Sequence, residues 1–253
     1  MTEQGPWPGR FVWHDLMTTD AARSKDFYCS LFDWQIQEVP MGPFTYNMLM
    51  VGPGPIGGIV EEKAIPISHW MPYVAVPSVD EAAERCKELG GSVCVPPQDI
   101  PMTGRFSVVG DPQGAYFSLY TGLAESPGAN PDEAILGRVC WNELMTSDDA
   151  AAQSFYTAMF GWQDTPRDMG PMGTYHVQTL GAAMAGGIMR SPVPGMPSFW
   201  VPYFYVQDLV ASTARAKDLG ATSHVEDMAI EGIGRMSMIQ DPLGATLALF
   251  AGL

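Results

Sequence analysis

The stretch FVWHDLMTTD, residues 11–20, decides the fold, because the chain writes it a second time as VCWNELMTSD at residues 139–148. Trp13 returns as Trp141, Leu16 as Leu144, Met17 as Met145 and Asp20 as Asp148, each 128 residues on. The match continues outward. Phe27-Tyr28 returns as Phe155-Tyr156, Phe32 as Phe160 and Trp34 as Trp162. Gly57-Gly58-Ile59 returns as Gly186-Gly187-Ile188, and Trp70, Pro72 and Tyr73 return as Trp200, Pro202 and Tyr203. The turn Asp111-Pro112-x-Gly114-Ala115 returns as Asp241-Pro242-x-Gly244-Ala245. The offset drifts only from 128 to 130, so insertions are small and fall in loops. Self-similarity at a fixed period marks a repeated structural unit.

Each copy spells the same elements. RFVWHDLMT is β-prone, and Asp20 is a good N-cap for a helix over AARSKDFYCSLF. Short strands follow near Trp34–Val39, Phe44–Met50 and Ile56–Val60. HWMPYVAV then reads as a strand, and SVDEAAERCKELGG as a helix that starts at Ser78 and stops at Gly90. Strands near Ser92–Val95, Arg105–Val109 and Ala115–Tyr120 complete the copy, with Asp111–Gly114 as the last turn. Each copy is therefore βαβββ twice, an α+β fold. TGLAESPGANPDEAILG has no apolar periodicity and reads as a linker. The expected domains are residues 1–122 and 137–253, joined by 123–136.

Composition narrows the function. The chain has 253 residues, 46% of them hydrophobic and 16% charged, enough for a substantial core. Net charge is −15, with 28 acidic against 13 basic residues, which argues against nucleic acid. No apolar run reaches the roughly 18 residues of a membrane span, and MTEQGPWPGR lacks the pattern of a secretory signal. Cys29, Cys86, Cys94 and Cys140 form no Cys-x-x-Cys pair, so a reduced, cytoplasmic setting is expected. The 17 Met and 7 Trp are material for an adaptable, flat-walled pocket as well as for a core.

Paired βαβββ units, FYCSLFDW and FYTAMFGW after the first strand, and twin DPxGA turns together resemble the vicinal oxygen chelate superfamily. That group includes glyoxalase I, extradiol dioxygenases and bleomycin- and mitomycin-binding resistance proteins. The tandem form with W(H/N)(D/E)LMT resembles bacterial proteins labelled hydroxylases or 27 kDa antigens. The resemblance implies that each pair of units curls its mixed sheet into a cup with helices outside. It also implies three places for metal ligands. One is on the first strand, seven residues before the helix-starting Asp. Another opens the strand of the second unit. The third lies four residues beyond the Gly of DPxG. Here those places hold Trp13 and Trp141, Trp70 and Trp200, and Ser118 and Ala248. An indole nitrogen has no usable lone pair and alanine offers no donor, so both copies depart from the metal-site pattern. No metal or other cofactor is expected.

Alternation along the first strand puts Trp13, Asp15 and Met17 on one face, with His14, Leu16 and Thr18 on the helix side. Asp15 and Glu143 are equivalent, and each is either a backbone-bonded interface carboxylate or an acid–base group. The expected ligand-binding set is Trp13, Met17, Trp70, Ser118, Tyr120, Trp141, Met145, His176 and Trp200. His69, read against Trp70, falls on the outer face, and His224 reads as solvated. Arg105 and Arg235 either pair with acids or capture an anionic group. The partner expected is a small aromatic or polycyclic organic molecule, bound for sequestration or for a tailoring step, by a monomer or homodimer. Two alternatives stand beside it. One is a metal-dependent lyase, isomerase, hydroxylase or dioxygenase using atypical ligands such as Asp15, Glu143 and His176. The other is an interaction protein whose cups are filled by its own side chains. Ser118 against Ala248, His14 against Asn142 and Asn47 against His176 make the copies unequal, so one alone can be functional.

Overall fold

The computed structural model describes residues 7–42, 44–52, 54–123 and 134–253. The first copy runs β1 (Phe11–Thr18), α1 (Ala21–Phe32), β2 (Gln35–Met41), β3 (Phe44–Val51) and β4 (Gly54–Glu61). It continues with β5 (His69–Ala75), α2 (Val79–Glu88), β6 (Ser92–Ile100), β7 (Gly104–Gly110) and β8 (Tyr116–Gly122). The second copy repeats the order: β9 (Val139–Thr146), α3 (Asp149–Phe160), β10 (Gln163–Asp168), β11 (Thr174–Leu180) and β12 (Ala183–Arg190). It ends with β13 (Phe199–Tyr205), α4 (Leu209–Asp218), β14 (Thr222–Ile230), β15 (Gly234–Gln240) and β16 (Thr246–Gly252). A 3₁₀ turn, Gly170–Met172, lies between β10 and β11.

The strands form two mixed sheets of eight, one per copy, so the chain is α+β as expected. Their orders are β2-β3-β4-β1-β5-β8-β7-β6 and β10-β11-β12-β9-β13-β16-β15-β14. In the first, β1 runs parallel to β4 and β5 to β8, while the β2–β3–β4 and β6–β7–β8 hairpins are antiparallel. The expected linker, 123–136, lies largely outside the described residues.

Side-chain caps start the helices, at Asp20 and Ser78 as expected and at the matching positions Asp148 and Asp208 of the second copy. Asp20 accepts from the Arg23 amide, Ser78 from Glu81, Asp148 from Ala151 and Asp208 from Ala211, each satisfying a donor that the first turn leaves free. On α1 the buried residues Ala21, Ser24, Phe27, Tyr28 and Leu31 follow helical spacing, so one face enters the core.

The chain divides into two compact units, and each draws on both copies. One unit holds α2, β6–β8 and most of β5 from the first copy, with α3, β10–β12 and most of β9 from the second. Its core joins Val74, Val109, Phe117 and Leu119 to Leu144, Phe155, Tyr156, Trp162 and Trp200. The other unit holds α1, β2–β4 and most of β1, with α4, β14–β16 and most of β13. Its core joins Leu16, Phe27, Tyr28, Trp34 and Trp70 to Phe204, Ile239, Leu247 and Leu249.

Polar ties between the copies repeat in each unit. Tyr156 Oη donates to Asp111 Oδ2 at 3.0 Å, and Trp162 Nε1 donates to the Gly9 carbonyl at 2.8 Å. In the other unit Tyr28 Oη donates to Asp241 Oδ2 at 2.9 Å, and Trp34 Nε1 donates to the Gly137 carbonyl at 2.9 Å. The DPxG aspartates do more than turn the chain. Asp111 Oδ1 also accepts from the Gln113 and Ala115 amides, and Asp241 Oδ1 from Leu243 and Ala245. Burial pushes both carboxyls above the usual range, while the bonds they accept pull the other way. Burial likewise drives the Tyr28 and Tyr156 phenols well above their ordinary value.

Candidate functional site

On β1 the alternation holds. Leu16 is in the core, and Thr18 Oγ1 lies 2.7 Å from Ser24 Oγ on α1. Trp13 and Asp15 are on the opposite face. Trp13 Nε1 donates to Asp15 Oδ1 at 2.9 Å and lies 2.9 Å from Tyr46 Oη, which donates to the same Asp15 oxygen at 2.7 Å. Two donors on one oxygen fix the direction of this carboxylate, which is only 5% exposed.

The Gly-Gly pairs make room for this arrangement. Asp15 is in register with Gly58, where a Cβ would overlap the Tyr46 hydroxyl, and a Cβ on Gly57 would overlap the His14 carbonyl. In the second copy Glu143 is in register with Gly187, where a Cβ would overlap the Tyr175 hydroxyl. Glu143 and Met145 are buried, Trp141 and Met17 half-buried. Tyr46 and Tyr175 are absent from the expected site. They occupy matched positions 129 residues apart, each on the strand beside a Gly-Gly pair, and that match was the available signal.

On β5 and β13 the structure corrects the sequence expectation. Trp70 and Trp200, expected on the pocket face, are 4% and 3% exposed and belong to the aromatic cores. Trp70 Nε1 donates to Tyr28 Oη at 3.2 Å and Trp200 Nε1 to Tyr156 Oη at 3.0 Å. Tyr28 stacks on Trp34 at 5.7 Å and meets Trp70 edge-on at 5.3 Å, and Tyr156 repeats this with Trp162 and Trp200. Such ring pairs add about 0.5–1.5 kcal/mol each beyond the area they bury. His69 therefore lies on the face opposite Trp70, shared with Tyr73, and its Nδ1 is 3.2 Å from the Ile67 carbonyl. Tyr73 is in register with Ser118, and Ala75 with Tyr120, so Ser118 and Tyr120 share the Tyr73 face. Tyr73 and Tyr120 meet edge-on at 6.3 Å.

His176 does not join these residues. Its Nδ1 is 2.9 Å from Asp164 Oδ2 and its Nε2 is 3.6 Å from Asp149 Oδ2, at the start of α3. Asp149 also takes Arg190, and Gln178 Nε2 donates to Asp164. His224 is exposed. Arg105 is held by Asp80 and Asp99, and Arg235 by Asp227, so pairing with acids accounts for both. A groove of about 410 Å³ beside Gly9, Val76, Arg85, Met159, Phe160 and Leu180 contains none of the expected site residues.

The residues at the family's metal-ligand places do not fit a divalent ion. Trp13 presents an N–H, already committed to Asp15, where an ion needs a lone pair. Trp70 and Trp200 are turned into the cores, Ala248 has no donor atom, and Ser118 offers a single neutral hydroxyl. Among the described residues no three His, Cys, Asp or Glu side chains converge as such an ion requires.

The comparisons with known proteins agree with this architecture. Residues 10–119 match the model of the Glyoxalase/Bleomycin resistance protein/Dioxygenase superfamily. The protein named for glyoxylase, CFP32, of Mycobacterium tuberculosis is 34% identical over 245 residues, 94% of this chain and 92% of that one. The chain belongs to the glyoxalase/bleomycin resistance/dioxygenase superfamily. Another relative is the anthracycline biosynthesis protein DnrV of Streptomyces peucetius, 31% identical over 258 residues, with 94% and 91% of the two chains covered. Two solved structures of the superfamily fold match nearly end to end. The Mn(II)-bound glyoxalase of Novosphingobium aromaticivorans has a TM-score of 0.66 at 13% identity, covering 97% of this chain and 82% of that one. The 2,2',3-trihydroxybiphenyl 1,2-dioxygenase of Sphingomonas wittichii strain RW1 has a TM-score of 0.67 at 14% identity, covering 96% and 90%. No helix among the described residues is long and apolar enough to cross a membrane.

Proposed function

We propose that this superfamily member binds a flat, fused-ring aromatic molecule without a metal ion and assists a tailoring step on it. One observation carries the reading: at the strand-one position, Trp13 offers an indole N–H bonded to Asp15. A face that presents indole, phenol and an oriented carboxylate suits a planar guest with polar substituents. The name of the relative DnrV, an anthracycline biosynthesis protein, supports the same ligand class. Asp15, or Glu143 where the second copy serves, would accept a proton or a hydrogen bond from a ligand hydroxyl. The other proposed contacts are Met17, Ser118 and Tyr120 for the first copy, or Trp141 and Met145 for the second. Tyr46 orients Asp15. A metal-dependent reading would draw on atypical ligands such as Asp15, Glu143 and His176, and of these His176 already lies against Asp164 and Asp149.

The test is a titration of natively purified protein with a dihydroxyanthraquinone, followed by tryptophan fluorescence, with and without a chelator. Binding that the chelator leaves unchanged, and that Asp15→Asn weakens, is the expected result. Stoichiometric Fe, Mn, Ni or Zn in the purified protein, together with binding that needs it, would overturn the reading.

A further inference from the structure

We propose that only the first copy's sheet takes the ligand, on the face of β5, β7 and β8 around Ser118, and that methionines close the matching face of the second copy. The proposal rests on the ligand-binding reading above and says which copy performs it.

Ser118 Oγ is fully buried and has no hydrogen-bond partner among the described residues. Burying a hydroxyl without a partner opposes folding. Packing does not require it either, since the same place in the second copy holds Ala248, equally buried. A polar group that the fold neither satisfies nor needs is explained by a partner that arrives from outside.

The surroundings differ in the same sense. Ser118 lies in register between Tyr73 on β5 and Val108 on β7, with Tyr120 and Phe106 paired two residues along. All four neighbours are partly exposed. Their counterparts are Tyr203, Met238, Phe250 and Met236. Tyr203, Met238 and Met236 are 5%, 9% and 1% exposed. Methionine fills irregular gaps well, so two of them in place of Val108 and Phe106 leave the second face packed.

The ligand chemistry follows from the lining. The edge-on pair of Tyr73 and Tyr120 beside the serine favours an aromatic ligand, and a lone serine hydroxyl favours a carbonyl acceptor, as in a quinone. In the free protein water does not reach Ser118 Oγ. A ligand must therefore turn aside one of the partly exposed neighbours to reach it.

The experiment uses the full chain and the dihydroxyanthraquinone, titrated by calorimetry. Wild type should bind one molecule per chain. Ser118→Ala should weaken binding about tenfold. The pair Val108→Met with Ser118→Ala, which writes the second copy's residues into the first, should abolish it while near-ultraviolet circular dichroism stays native. Ala248→Ser should leave affinity unchanged. Without ligand, Ser118→Ala should melt at or above the wild-type temperature, and a clear fall would show an internal partner and overturn the proposal. Two molecules per chain, or equal affinity in Ser118→Ala, would overturn it while leaving the binding reading intact. No binding by wild type would overturn both.

Discussion

Tyr28 of the first copy donates its phenol hydrogen to Asp241 of the second, 213 residues further along, at 2.9 Å. Tyr156 and Asp111 make the reciprocal bond in the other unit. A helix of one copy is thus held against a turn of the other, and the aromatic core around each bond contains residues from both. Linear order in the chain and membership of a folding unit are different things here.

Hydrogen exchange should follow the units and not the copies. Asp241→Asn weakens the acceptor for Tyr28, so amides of α1 should exchange faster although the change lies in the other copy. Amides of α3, in the same copy as Asp241, should be unaffected. Exchange mass spectrometry on the intact chain reads this directly. Faster exchange confined to residues 139–252 would sink the idea.

The two buried aspartates should leave a mark on the pH dependence of stability. Burial raises their carboxyl pKa values above the unfolded value of about 3.9, so the fold favours the protonated form. Their stabilising contribution is complete below that value and is lost as pH rises through the raised one. Glu61, Asp80 and Glu226, lowered chiefly by hydrogen bonds, act in the opposite sense. These terms cancel when variants are compared at each pH. The melting temperature of Asp111→Asn/Asp241→Asn, relative to wild type, should therefore climb as pH rises above about 4. A flat or falling difference counts against the assignment.

Trp34 and Trp162 each donate to a buried carbonyl, of Gly137 and Gly9. Phenylalanine keeps the ring but leaves that carbonyl without its donor. Each single substitution should cost about 1–3 kcal/mol in urea unfolding. A cost below about 0.5 kcal/mol would mean that another donor replaces the indole.

Gly58→Ala should displace the Tyr46 hydroxyl and with it a donor to Asp15. Overpacking of this kind costs about 1–3 kcal/mol. In Tyr46→Ala the clash partner is gone, so the two changes should couple by at least about 0.5 kcal/mol in a double-mutant cycle. Simple additivity would show that Tyr46 does not rest on Gly58 in solution.

The duplication, the four capped helices and the DPxG turns were legible because each is a local pattern. The exchange between copies was not. Both copies carry the same Tyr and the same Asp, so nothing in the residues says whether Tyr28 meets Asp111 or Asp241. The face of Trp70 was illegible for another reason: WMPYVAV is apolar at nearly every position, and alternation needs polar residues to mark a side. Where the pattern did alternate, on β1, Leu16 and Thr18 lie on the helix side and Trp13 meets Asp15 on the other. His176 was misassigned because Asp164 and Asp149, which hold it, come from neighbouring elements that a strand pattern does not reveal.

The interleaving also bears on what happens when synthesis stops early. A ribosome that releases the chain after the first copy would leave Tyr28, Trp34 and Trp70 without Phe204, Ile239 and Leu249 to cover them. Such a half-product would display a sticky aromatic surface and be a ready client for chaperones and proteases. Quality control, and not a shortened but working protein, would be the fate of a premature stop codon anywhere in the second half.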